Sequence, residues 1–220
     1  MKRVLLSGVA VAAMIGSAVA ADIPRRVETT KAPVAYVAPV YNWTGLYIGI
    51  NGGWAGGNAD MGAIGFDVDG GLIGATVGYN WQAGQMVFGL EGDINWTNID
   101  GSGPCGALTC TVSNNWLGTV RGRLGYAIDR FMPYVTGGLA FGDVEASATG
   151  LAGASNTQTG WTLGGGFEFA LAPARWTAKL EYLYVDLGEF TCSAAACGAA
   201  AAGDVSFNSH IVRAGLNYRF

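Results

Sequence analysis

The sequence predicts an all-β chain, an eight-stranded antiparallel up-and-down transmembrane β-barrel. Three observations carry that prediction. Apolar and polar residues alternate with period two through eight segments, the connectors alternate between short and long, and aromatic residues gather near the segment ends. Successive side chains of a strand point to opposite faces, so each segment has one apolar and one polar face.

The first segment alternates Leu46, Ile48 and Ile50 with Tyr47, Gly49 and Asn51. The second sets Ile73, Ala75, Val77, Tyr79 and Trp81 against Gly74, Thr76, Gly78 and Asn80. In the third, Phe88, Leu90, Ile94 and Trp96 alternate with Gly89, Glu91, Asp93 and Asn95. Trp116, Val120, Leu124 and Tyr126 face away from Thr119, Arg121, Arg123 and Gly125 in the fourth. The fifth opposes Val135, Leu139 and Phe141 to Thr136, Gly138 and Ala140, and the sixth opposes Trp161, Leu163, Phe167 and Phe169 to Thr162, Gly164, Gly166 and Glu168. Ala178, Leu180, Tyr182 and Tyr184 alternate with Thr177, Lys179 and Glu181 in the seventh. The last sets Val212, Ala214, Leu216, Tyr218 and Phe220 against Ile211, Arg213, Gly215, Asn217 and Arg219. Segments of about 10–13 residues have the length a tilted strand needs to cross a bilayer.

Short links fall at Gln82–Gln85, Ile128–Met132 and Leu171–Arg175, and long ones at 55–69, 98–113, 146–157 and 188–206. Short turns on one rim and long loops on the other are what a membrane barrel shows. A soluble sandwich or lipocalin-like barrel is the competing architecture, but its apolar face would point inward. Here the polar face carries both signs of charge. The apolar face ends in Trp81, Trp96, Trp116, Trp161, Trp176, Tyr126, Tyr218 and Phe220, whose rings suit a headgroup layer.

Composition excludes several other classes. With half of its residues apolar and a net charge of −4, the chain is not disordered. Its 36 glycines follow no three-residue period, which excludes collagen. Only 12 Lys and Arg against 16 Asp and Glu leave no basic footprint for a nucleic acid. The charge-free stretch Gly70–Leu90 is interrupted by Asn80, Trp81, Gln82 and Gln85, so it reads as two strands and a turn, not a spanning helix.

Residues 1–20 form an expected signal peptide: Lys2 and Arg3, an apolar run, and Ala18-Val19-Ala20 as a cleavage pattern. Residues 21–43 read as a Pro-containing periplasmic tether, with Pro24, Pro33 and Pro39 favouring extended backbone. The barrel is expected over 44–220.

Three stretches carry a family resemblance. Tyr41-Asn42-Trp43-Thr44-Gly45-Leu46-Tyr47-Ile48-Gly49, Leu180-Glu181-Tyr182-Leu183-Tyr184 and Val212-Arg213-Ala214-Gly215-Leu216-Asn217-Tyr218-Arg219-Phe220 resemble the eight-stranded outer-membrane barrels of alphaproteobacteria. These are opacity-type and porin-family surface proteins that include hemin-binding members. The resemblance implies a location in the Gram-negative cell outer membrane. Tyr218 and Phe220 resemble the C-terminal signal read by the barrel-assembly machinery. A single activity is implied only weakly, because members differ in their loops.

Cys105, Cys110, Cys192 and Cys197 form two CxxxxC pairs, one in each of two long connectors. Export favours oxidation, so disulfides are expected, within each pair or across the two loops. Four soft metal ligands are the other reading, and no His lies in either loop to support it. His210 is the one histidine, beside Ser209, and adjacent strand residues point to opposite faces, so the two cannot form a catalytic pair. No enzyme activity and no cofactor are expected.

Inward parity selects Glu91, Asp93, Arg121, Arg123, Glu168, Lys179, Glu181, Arg213 and Arg219, four acids and five bases. An eight-stranded interior is just wide enough for its own side chains. Pairing is expected between neighbours: Glu91 and Asp93 with Arg121 and Arg123, and Lys179, Glu181 and Arg213 together with Glu168. The expected function is therefore structural and interactive, through outer-membrane lipid and an extracellular or host ligand at the loops, and not general diffusion. A small porin and a hemin or hydrophobic-ligand binder are the alternatives.

Overall fold

The computed structural model describes residues 41–61, 64–105, 108–149, 154–171, 175–192 and 203–220. The expected signal peptide and most of the expected tether lie outside them. Eight strands follow in order: β1 (Gly45–Met61), β2 (Ile64–Ala83), β3 (Met86–Cys105), β4 (Leu108–Tyr126), β5 (Phe131–Ala148), β6 (Ala154–Ala170), β7 (Trp176–Cys192) and β8 (Gly203–Arg219). Each pairs antiparallel with its chain neighbours, and β8 returns to β1, where Tyr47 faces Arg219 and Met61 faces Val205. A closed ladder has no edge strand, so its backbone groups are paired internally, as a lipid environment requires.

Both ends of the barrel lie on one rim, called here the terminal rim, where the turns are tight. Gly84 takes φ 63° between β2 and β3, a left-handed conformation that costs glycine nothing. The membrane-height part of the wall follows the expected parity. Leu46, Ile48, Ile50, Ile73, Val77, Leu90, Ile94, Val120, Val135, Leu139, Leu163 and Val212 all stand exposed on the outside.

The strands are longer than the alternation predicts, at 17 to 20 residues. Much of 55–69, 98–113, 146–157 and 188–206, expected as loops, is strand that continues toward the distal rim. The physical reason is an inversion of polarity. Beyond Trp54, Trp96, Trp116, Phe141, Trp161 and Tyr184 the outward face turns polar, with Asp60, Asp67, Asp69, Asp100, Asp143, Glu145, Asp186, Glu189 and Asp204. The inward face turns apolar, and Ala55, Ala59, Val68, Ile99, Val112, Val144, Ala146, Val185, Val205 and Phe207 are buried together. Outside lipid, a strand needs no apolar outer face, so the sequence there has loop-like composition while the ladder runs on. Register shifts at Trp96/Ile99, Ser113/Leu117 and Asp186/Glu189 fall close to this boundary. Bulges of this kind re-aim side chains where a strand changes surroundings.

Candidate functional site

The lumen is filled by three layers, and the middle one is ionic. Glu91 and Asp93 project from β3, Arg121 and Arg123 from β4, Glu168 from β6, Lys179 and Glu181 from β7, and Arg213 from β8. Glycine on neighbouring strands makes the room. A Cβ at Gly89 would lie 2.5 Å from Cγ of Arg123, and one at Gly78 would lie 2.3 Å from the Tyr47 hydroxyl.

Arg121 donates from Nη2 to Glu91 and to Asp93 at 2.8 Å, and from Nη1 to Glu181 at 3.0 Å. Arg213 grips Asp93 at 3.0 Å and Glu181 at 2.7 Å. Lys179 Nζ lies 3.0 Å from both oxygens of Glu91. Arg123 donates to Glu168 at 2.8 Å, and its guanidinium sits 3.9 Å from the centre of the Tyr134 ring. No side chain in these pairs is more than 2% exposed. Four acids meet four bases, so the layer is neutral, which is the condition under which charges can be buried.

Two parts of the expectation need correction. Neighbour pairs form as expected, Arg121 with Glu91 and Asp93 and Arg213 with Glu181, but the pairing does not stop there: Lys179–Glu91, Arg121–Glu181, Arg213–Asp93 and Arg123–Glu168 cross the lumen and fuse the two expected clusters into one. In a barrel this narrow, long side chains reach the opposite wall as readily as the adjacent one. Arg219 leaves the network altogether. Its Nη2 donates to the Trp43 carbonyl, and its guanidinium lies 5.4 Å from the Trp43 ring and 5.9 Å from that of Tyr41.

That contact builds the layer at the terminal rim. Trp43 is fully buried among Val87, Ala127, Met132 and Ala170, with Tyr41 packed against it. The Trp43 backbone N–H donates to Gln82 Oε1 at 2.7 Å, and its indole N–H donates to the Asp129 carbonyl at 3.0 Å. Burial raises the Tyr41 phenol above its ordinary value, against the pull of Arg219. The third layer is the apolar core of the distal extension.

Several residues of the site were not selected from the sequence. Tyr47 and Tyr134 donate hydroxyls to Glu91 at 2.7 Å and Glu181 at 3.0 Å, and Thr119, Thr177 and Asn217 donate to Asp93 or Glu168. The same inward parity that picked out the charges places them in the lumen. Trp43, assigned to the tether, carried its signal in being a large aromatic just before the first alternation.

Elsewhere, Cys110 and Cys192 are disulfide-bonded and buried, so they are not thiolate ligands. Cys105 ends β3 opposite Leu108, and Cys197 lies outside the described residues. Ser209 faces the lumen and His210 the outer wall, where the Tyr182 hydroxyl lies 2.7 Å from His210 Nδ1. Tyr218 packs edge-on against Trp176 and Phe220 at the terminal rim.

A closed eight-stranded ladder with an apolar, aromatic-bordered outer wall and a polar interior defines an outer-membrane β-barrel. The chain belongs to the outer membrane protein beta-barrel domain family, whose pattern it matches over residues 8–220. It is 39% identical over 252 residues to the 31 kDa outer-membrane immunogenic protein of Brucella melitensis, a match covering the whole of both chains. It is also 39% identical over 156 residues to the 22 kDa outer membrane protein of Rhizobium leguminosarum, covering 69% of this chain and 68% of that one. Among solved structures, Neisserial surface protein A superposes with a TM-score of 0.51 at 14% identity, over 80% of this chain and 98% of that one, a likeness of fold.

Proposed function

We propose that this outer-membrane barrel has a structural and surface-interaction role and is not a general diffusion pore. The terminal rim faces the periplasm and the distal extension faces outward, since an even strand count puts both chain ends on one rim and the short turns of such barrels are periplasmic. The observation that carries the reading is the neutral ionic layer, whose eight side chains fill the lumen and are shut off from solvent. The layers at either end support closure, because a solute would have to displace Trp43 and the distal apolar core as well. Relatives named outer-membrane immunogenic proteins support a surface-displayed role. In this reading the partners are outer-membrane lipid, the barrel-assembly machinery acting on Tyr218 and Phe220, and an extracellular ligand at the distal tips. Refolded protein in a planar bilayer is expected to show no steady conductance, and its liposomes no sugar uptake. Steady conductance with sugar uptake would overturn closure in favour of a small porin.

A further inference from the structure

Between the ionic layer and the Trp43 layer runs a stretch of lumen whose polar atoms are not all paired. Asn80 is fully buried, and neither its amide nitrogen nor its amide oxygen has a hydrogen-bond partner among the described residues. Arg123 Nε and Arg219 Nη1 are buried donors in the same condition, and Asn217 Oδ1 is a buried acceptor in it. Buried polar groups are nearly always hydrogen-bonded, so a cluster of such atoms in one part of the lumen calls for a ligand.

The sequence makes room around Asn80. Its register partners on β1 and β3 are Gly45 and Gly89, so no side chain flanks it from either strand. The amide oxygen lies over Gly89, 2.4 Å from where a Cβ would stand, beside Cγ and Cδ of Arg123 at 2.5 and 2.8 Å from the same point. Nδ2 therefore points the other way, toward β1, where a Cβ at Gly45 would meet only the Phe220 carbonyl, at 3.4 Å. Arg219 stands just beyond β1, on β8, in register with Tyr47. Trp43 closes this space on the terminal side. The Tyr47 side chain, which reaches over Gly78 to donate to Glu91, closes it toward the ionic layer.

Charge decides what belongs there. The four acids and four bases of the ionic layer balance, and Arg219 is one base more, only 5% exposed. No carboxylate lies within ion-pair distance of Arg219 among the described residues, and Glu168 is already held by Arg123, Thr177 and Asn217. The Trp43 carbonyl takes Nη2, and the Trp43 and Tyr41 rings lie near the guanidinium, which leaves the Nη1 edge. A guanidinium shut away from water is tolerated when an anion meets it. We propose that this chamber binds one halide-sized anion, chloride in ordinary media, held by Arg219 Nη1 and Asn80 Nδ2. A water molecule would satisfy the same donors but leave the charge uncompensated. The enclosure between Trp43 and Tyr47 keeps out a bulky anion such as gluconate.

The test has a crystallographic arm and a solution arm. Crystals of the folded protein grown in bromide, whose anomalous scattering marks its position, should show one peak within hydrogen-bonding distance of both Arg219 Nη1 and Asn80 Nδ2. In urea unfolding at constant ionic strength, chloride replaces gluconate step by step. The folded-to-unfolded ratio should rise about tenfold for each tenfold rise in chloride beyond its dissociation constant, as one bound ion requires. Asn80→Asp sets a carboxylate beside Arg219, so it should fold, lose the bromide peak and no longer respond to chloride. Arg219→Met removes the charge and should lose both signals too, with heat-modifiable gel migration reporting the fold of each variant. Absence of the peak from the native protein, which would make water the occupant, or a native stability indifferent to chloride would overturn the site, and neither reading needs a variant. A bromide peak or a chloride response kept by folded Asn80→Asp or Arg219→Met would overturn it as well.

Discussion

Replacing Arg123 by Met removes a charge from the ionic layer while keeping most of the side-chain volume. Its partner Glu168 is then left with only neutral donors, the Thr177 hydroxyl and the Asn217 amide. No second cation lies within ion-pair distance of Glu168 among the described residues. Stranding one member of a buried pair costs about 3–5 kcal/mol, against at most ~1 kcal/mol for a solvated surface pair. The double variant Arg123→Met, Glu168→Gln removes both charges and keeps an acceptor for Thr177, so it should recover most of the loss. Urea unfolding of the folded barrel, followed by gel migration before and after heating, reads both quantities. A loss below about 1 kcal/mol for the single variant would mean that the lumen charges are solvated. A double variant no more stable than the single one would mean that the loss comes from packing and not from the stranded carboxylate.

Trp43→Ala should cost about 3–5 kcal/mol, as for other fully buried tryptophans, and a near-native urea midpoint would show that the plug at the terminal rim is only an accessory. Protein isolated from cells should show no free thiols until reduced, and mild reduction should leave the barrel folded, because the closed ladder holds it; loss of heat-modifiable migration on reduction would contradict this. An epitope inserted at Ala199, between β7 and β8, should be detected on intact cells, and detection only after the outer membrane is broken would reverse the topology.

The barrel was legible because lipid imposes a rule on every outward residue. Leu46, Ile48 and Ile50 could be assigned without knowing their neighbours, and the inward positions followed by parity. The distal extensions were not legible for the same reason. In water Asp67, Asp100 and Ser147 satisfy the outer face as well in a strand as in a loop, so composition there does not discriminate. The ionic residues could be named from parity, yet not their partners, since depth along one strand does not say which side chains meet across the lumen. Arg219 differs because its partner is Trp43, whose place under the barrel comes from packing and not from periodicity.

The polarity inversion also fixes how the molecule meets its surroundings. β1 runs seven residues past Trp54 and β3 nine past Trp96. At ~2.5 Å of height per tilted residue this is a stalk of about 20 Å, stiffened by its own dry interior. The distal ends of the strands, Met61 and Cys105 among them, are therefore held at a set height above the lipid. A molecule that recognises them is spared much of the entropy of ordering a loop, which otherwise costs about 0.5–1.5 kcal/mol for each flexible side chain immobilised. Among the described residues, all nine charged side chains on the outside of that stalk are acidic, so an approaching cationic surface is drawn in at low ionic strength, and the attraction fades as salt rises.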